Sequence, residues 1–138
     1  MLLVRTKVRY SRRNKITGVG LLAAQYIPAK TVVWRFDPRF DLFFDPTQVE
    51  SLPEVQKEMI KDGGYISTLT NSFVCSIDNS RFINSSRKPN IDNTQVLPGD
   101  TEICWVATRD IYEGDELTTQ INRSPSTDST NSLQASSG

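Results

Sequence analysis

The 138-residue chain contains no histidine and only two cysteines. Without histidine, a Ser-His-Asp triad, a Cys-His dyad and a histidine-based zinc site are all excluded, and the commonest general base is missing. Cys75 and Cys104 lack CxxC spacing, so the sequence points to no metal site and no disulfide framework. No apolar run approaches the roughly 20 residues that cross a bilayer. The opening Met1-Leu2-Leu3-Val4 meets charge at Arg5, too soon for a signal-peptide core. These absences predict an intracellular protein in a reducing compartment, with no membrane partner. Any chemistry must use carboxylates, tyrosines, lysines, backbone groups or the substrate itself.

What is present is ordinary in bulk, with 37% hydrophobic and 23% charged residues, as in a soluble single domain. The net charge of zero conceals a split. Residues 1–36 hold 8 basic residues and no acid, which leaves 16 − 8 = 8 basic against 16 acidic residues in the remainder, a balance of −8. An acidic body suits a basic substrate, and a basic arm could meet phosphates, the weaker alternative of a nucleic-acid role. Arg5, Lys7 and Arg9 also fit the wet face of a strand, because Val4 to Tyr10 alternates apolar and charged residues.

The chain reads as mainly β with one short helical region. Strands are expected over Val4–Tyr10, in the apolar run after Gly20, over Thr31–Phe36, around Phe73 and over Thr101–Thr108, with a turn over Ile111–Thr118 entering a last short strand. Thr47 to Asp62 is the helical region, with Pro53 in a first turn and Gly63-Gly64 offering a left-handed cap. Residues 1–122 form one domain. The tail 123–138 is dominated by Ser and Thr and has too little apolar surface to offset its ordering entropy.

Three stretches attract attention. Gly18-Val19-Gly20 lies at a turn into a strand, where glycines serve either a positive φ or close approach to a ligand. No GxGxxG pattern or βαβ unit follows, which argues against a Rossmann site. Arg81-Phe82-Ile83-Asn84-Ser85-Ser86-Arg87-Lys88-Pro89-Asn90 reads locally as a polar surface loop with Asx-turn chemistry. Ile111-Tyr112-Glu113-Gly114-Asp115-Glu116-Leu117-Thr118 is a turn entering a strand. Adjacent strand residues face opposite sides, so Asp115 and Glu116 do not form a carboxylate pair and read as turn and surface charges. Trp34 and Trp105 read as core.

Taken in order, these stretches resemble the GxGxFA, RFINHSCxPN and IxxGEELT segments of the SET-domain family of protein-lysine methyltransferases. The likeness spans residues 4–121, and Trp34-Arg35-Phe36-Asp37-Pro38 resembles small stand-alone bacterial-type members. The resemblance implies several small twisted sheets, a C-terminal pseudoknot and S-adenosylmethionine as cofactor. It implies that Gly18, Val19 and Gly20 line the methionine part of that cofactor, and that Arg81, Phe82, Asn84 and Ser85 cradle the rest. The substrate would be a lysine-bearing, basic protein segment added along the acidic face as a strand. If the protein is bacterial, a cytoplasmic location follows.

This sequence departs from the family pattern at three places. Asn84-Ser85 replaces the Asn-His pair, and Phe73 stands where tyrosine is common. Gln120-Ile121 replaces the terminal Asp-Tyr, removing the hydroxyl that orients the amine. Of the remaining tyrosines, Tyr65 is the candidate catalytic residue, with packing as its alternative role. Two readings therefore stay open, a lysine methyltransferase and a catalytically impaired SET-fold module that binds a protein partner.

Overall fold

The computed structural model describes residues 1–120; the predicted tail lies outside them, as does Ile121. The expected strand over Val4–Tyr10 forms as β1 (Thr6–Tyr10), paired antiparallel with β2 (Val19–Ala23) from Thr6↔Ala23 to Tyr10↔Val19. Val4, Thr6 and Val8 face inward while Arg5, Lys7 and Arg9 are exposed, so the basic residues do line the wet face. On β2, Leu21 and Ala23 are buried in the main core with Ile27, Val33, Trp34, Trp105, Ile111 and Leu117. Each fully buried aliphatic side chain there contributes about 1.5–3 kcal/mol.

Two three-stranded sheets flank this hairpin. One has the order β3 (Val32–Trp34), β9 (Ile103–Ala107), β8 (Ile91–Val96), and the other β4 (Asp41–Phe44), β6 (Phe73–Ser76), β5 (Tyr65–Ile66). All their pairings are antiparallel. Trp34 and Trp105 are core residues, as expected, stacked with ring centroids 4.8 Å apart.

The helical region differs from the expectation. It is two helices, α1 (Pro46–Glu50) and α2 (Glu54–Gly63), separated at Ser51-Leu52. Pro53 is the N-cap of α2 (φ −53°, ψ 150°) rather than part of its first turn. Proline restricts the residue before it to extended backbone and so stops α1 from running on. The Asp45 side chain caps α1 by accepting from the Thr47 N–H at 2.8 Å.

Nor does α2 end in a left-handed glycine, since Gly64 has φ −113°. Its lack of a side chain answers a close approach instead. A Cβ at Gly64 would lie 2.6 Å from Cys75 Sγ and 2.8 Å from the Ile60 carbonyl. Burial in this crowded corner pushes the Cys75 thiol up to about 11, and burial also raises that of Cys104. Since the thiolate is the nucleophile, iodoacetamide at pH 8 is expected to label both cysteines of the folded protein slowly and both promptly in urea. Fast labelling of Cys75 in the native protein, followed by mass spectrometry, would contradict this packing.

The end of the described chain is threaded. After Asp115, whose carbonyl accepts from the Ala23 N–H at 2.8 Å, the chain passes β2, where the Leu117 N–H donates to the Leu21 carbonyl at 2.8 Å. It then pairs as β10 (Thr118–Gln120), in parallel, with β7 (Asn84–Ser86), matching Thr118↔Asn84 and Gln120↔Ser86. Asn90 secures the crossing from the other side. Its Nδ2 donates to the Glu116 carbonyl at 2.9 Å, and its Oδ1 accepts from the Thr118 N–H at 2.8 Å. A late strand held between β2 and the Asn84–Asn90 segment is the knotted arrangement the resemblance implied.

Candidate functional site

The site is built where β2, the loop before it and the Asn84 segment meet. The loop is organised by Asn14, whose Oδ1 accepts from the N–H groups of Ile16 (2.9 Å) and Thr17 (3.0 Å), an Asx-type turn. Gly18 closes it with φ +74°. The Asn14 Nδ2 then reaches across to Asn84 Oδ1 at 3.2 Å. In turn, Asn84 Nδ2 donates to the Val19 carbonyl at 3.0 Å and to Glu116 Oε2 at 2.9 Å.

Glu116 is the hub of this knot. Its carboxylate also accepts from Ser11 Oγ at 3.0 Å and from Arg13 Nη1 at 2.8 Å, and its side chain is 12% exposed. The expectation that Asp115 and Glu116 are both surface charges is therefore corrected. Asp115 is exposed, whereas Glu116 forms an isolated bridge with Leu22 and turns its carboxylate into the knot. Asp115 does act in the turn, accepting from the Tyr112 N–H at 2.9 Å. Gly20 makes the hub fit, because a Cβ there would collide with Glu116 Oε2 and lie 2.9 Å from Asn84 Nδ2.

Beside the knot lies a cavity of about 830 Å³. Of the residues expected to bind a cofactor, Arg81, Asn84 and Ser85 line it. A smaller cavity of about 450 Å³ is lined by Ser11, Arg12 and Gly18, and Asn14 and Lys15 contribute to both. Val19 and Gly20 touch neither wall directly and instead hold the knot behind it. Phe82 ends a short 3-10 helix (Asn79–Phe82), with the Arg81 guanidinium 4.7 Å above its ring. Since both ends of the Asn84 amide are committed to the knot, what this residue leaves for a ligand is mainly backbone.

The remaining candidates separate. Tyr65 lines the cavity beside Trp105, whereas Phe73 is buried in the second core with Val49 and Ile60. Burial, then the charge of Glu102, hold the Tyr65 hydroxyl well above the ordinary phenol value, so it stays protonated. The acidic excess after residue 36 does not face the cleft. Its wall carries Arg13, Lys15, Lys61 and Arg81 against a single acid, Asp62. Two of these cations are drawn aside by carboxylates, Arg13 by Glu116 and Lys61 by Glu50 at 2.8 Å each. No helix of the described residues is long and apolar enough to cross a membrane.

Sequence reasoning missed Glu116, Glu102, Ser11 and Asn14. For Glu116 no periodic signal was available, because Leu117 and Thr118 after it are buried as well. The other three carry no local mark, because their importance comes from partners distant in sequence.

Among solved structures, the chain is similar to a Plasmodium falciparum protein proposed to be a histone methyltransferase. The TM-score is 0.57 at 14% identity, covering 89% of this chain and 97% of the other, a likeness of fold. No curated protein matches the chain. A family model, that of the SET domain, matches residues 18–122. That span runs from the Gly18 turn to just past β10 and takes in Asn84 and Glu116. The chain thus belongs to the SET-domain family.

Proposed function

We propose that this protein transfers a methyl group from S-adenosylmethionine to the side-chain nitrogen of a lysine in a protein substrate. The observation that carries this reading is the meeting of the Asn14 loop, the β2 glycines and the Asn84 segment beside one cavity of about 830 Å³. That volume is in the range of small-molecule and cofactor sites. The donor set suits a ligand with an amino-acid end. Arg81 offers a guanidinium able to grip a carboxylate through paired N–H groups, and Ser85 and the Asn84 backbone add polar contacts on the same wall. Gly18, Val19, Gly20 and Phe82 shape the backbone behind it. The fold shared with a protein proposed to be a histone methyltransferase supports the same reading.

When bound, S-adenosylmethionine supplies an electrophilic methyl group on positive sulfur. The protein needs only to align a neutral amine with it, and such orientation accounts for much of the rate of a displacement. Histidine is not required. Tyr65 and Trp105 form the aromatic part of the wall, a surface on which the aliphatic stem of a lysine can pack.

Ile121 favours a second reading, in which the module binds a partner without catalysis, since isoleucine has no hydroxyl to orient the amine. Labelled S-adenosylmethionine, incubated with mixed histones and ribosomal proteins, distinguishes the two. The wild type is expected to label a protein band, and Ile121→Tyr to raise the rate by about a hundredfold, the lower range for one positioned group. Label transfer by the variant alone would identify a binding module. Failure of both to retain the cofactor would remove the methyl-transfer reading.

A further inference from the structure

A cleft whose wall carries four cations and one acid is a poor receptor for an ammonium group. Behind Tyr65, however, lies a carboxylate that is not itself part of the wall. Glu102, at the entry to β9, is 1% exposed. Its Oε2 accepts from the Tyr65 hydroxyl at 2.7 Å and its Oε1 from Ser67 Oγ at 2.7 Å. No cation lies within ion-pair distance of it among the described residues, whereas the equally buried Asp41 pairs with the N-terminal ammonium at 2.7 Å. Burying a carboxylate on hydroxyl donors alone costs several kcal/mol unless another positive charge approaches.

The geometry also determines how the phenol faces the cleft. Its one proton is directed to Glu102, so what remains for a ligand is the oxygen lone pairs. Tyr65 is the only tyrosine on this wall among the described residues. Beside it on the wall stands the ring of Trp105, 5.6 Å away and backed by the buried Trp34, and an aromatic face attracts a cation.

We infer that Glu102 is a positioning residue, which fixes Tyr65 as a hydrogen-bond acceptor and sets a buried negative charge behind it, so that the aromatic corner selects a primary amine. The inference rests on the lysine-methylation reading and gives it a source of selectivity. An amine whose N–H groups donate to Tyr65 has its lone pair turned elsewhere in the cleft. The cation formed on methylation would lie near the Glu102 charge.

The test uses n-butylammonium as the probe and n-butanol as its neutral counterpart, titrated against tryptophan fluorescence of the full chain. The wild type is expected to bind butylammonium saturably and better than butanol. Glu102→Gln and Tyr65→Phe should each weaken butylammonium by about tenfold, the scale of one charge-assisted hydrogen bond. Butanol should be unaffected by Glu102→Gln, and the double variant should be no weaker than the worse single one. Glu113→Gln, exposed and away from the cavity wall, should change neither ligand by more than about twofold.

Equal loss of both ligands in Glu102→Gln would indicate loosened packing and overturn the assignment, as would unchanged butylammonium affinity. If that variant does not fold, Tyr65→Phe decides on the same criterion. Calorimetry with S-adenosylmethionine on the same proteins separates the two claims. Absent cofactor binding with an intact amine preference removes only the methyl-transfer reading, while normal cofactor binding with no amine preference removes only the role of Glu102.

Discussion

Gly20→Ala is expected to lower the unfolding free energy by about 3 kcal/mol, the scale of disrupting a buried charge network. The melting temperature should fall by about 10 °C in consequence. The new methyl would be driven against Glu116 Oε2, with the Glu116 carboxyl carbon 2.8 Å and Asn84 Nδ2 2.9 Å away. None of these can move cheaply. The carboxylate is held by Ser11, Arg13 and Asn84, and the Asn84 amide by Asn14 and Val19. Gly18→Ala is the instructive contrast. No atom lies within 4 Å of a Cβ there, so only the positive φ of +74° resists it, at a cost of about 1 kcal/mol. Coupling provides a second check. Because Gly20 and Glu116 share one contact, Gly20→Ala combined with Glu116→Ala should be distinctly less destabilised than the sum of the singles. Additive losses in denaturant titrations would show that Glu116 does not set the size limit at Gly20.

Asn90→Ala should be comparably severe, at about 2–4 kcal/mol. Asn90 is 5% exposed, and its amide stands in for a strand neighbour by pairing with the Glu116 carbonyl and the Thr118 N–H. Alanine would leave both backbone groups buried without partners, each at about 1–3 kcal/mol. The damage should be local before it is global. Hydrogen exchange at the Thr118 and Leu117 amides is expected to accelerate far more than at Leu21, as the β10–β7 pair opens separately. Asn90→Asp retains the acceptor but loses the donor to Glu116, so it should restore protection at Thr118 more than stability. Uniform exchange across the molecule in Asn90→Ala would mean that the threaded end has no stability of its own.

Much of the β framework was legible because period-two patterning survives in a strand with one wet face, as in β1, and because an apolar run after a glycine turn marks β2. β8 was not legible. Its sequence Ile-Asp-Asn-Thr-Gln-Val includes residues poor in strands. Pairing with β9 from Ile91↔Ala107 to Val96↔Ile103 imposes the conformation, across a register shift. The helical region was legible in extent but not in its division, because the restriction that Pro53 places on Leu52 was read as a first-turn preference. The site was legible as an ordered series of short segments but not as a network. Nothing near Glu102 in the chain announces burial. Its partners Tyr65 and Ser67 come from a different sheet region, 37 and 35 residues away.

The parallel pairing of β10 with β7 has a kinetic consequence. Thr119 and Gln120 belong to the same cavity wall as Asn84 and Ser85, so the chamber has no complete boundary until the final segment has been drawn through. Completion of this wall therefore depends on contacts of long sequence separation, which form slowly. Any small molecule that prefers the finished chamber would act as a clasp, lowering the rate at which that segment slips out again in proportion to its occupancy.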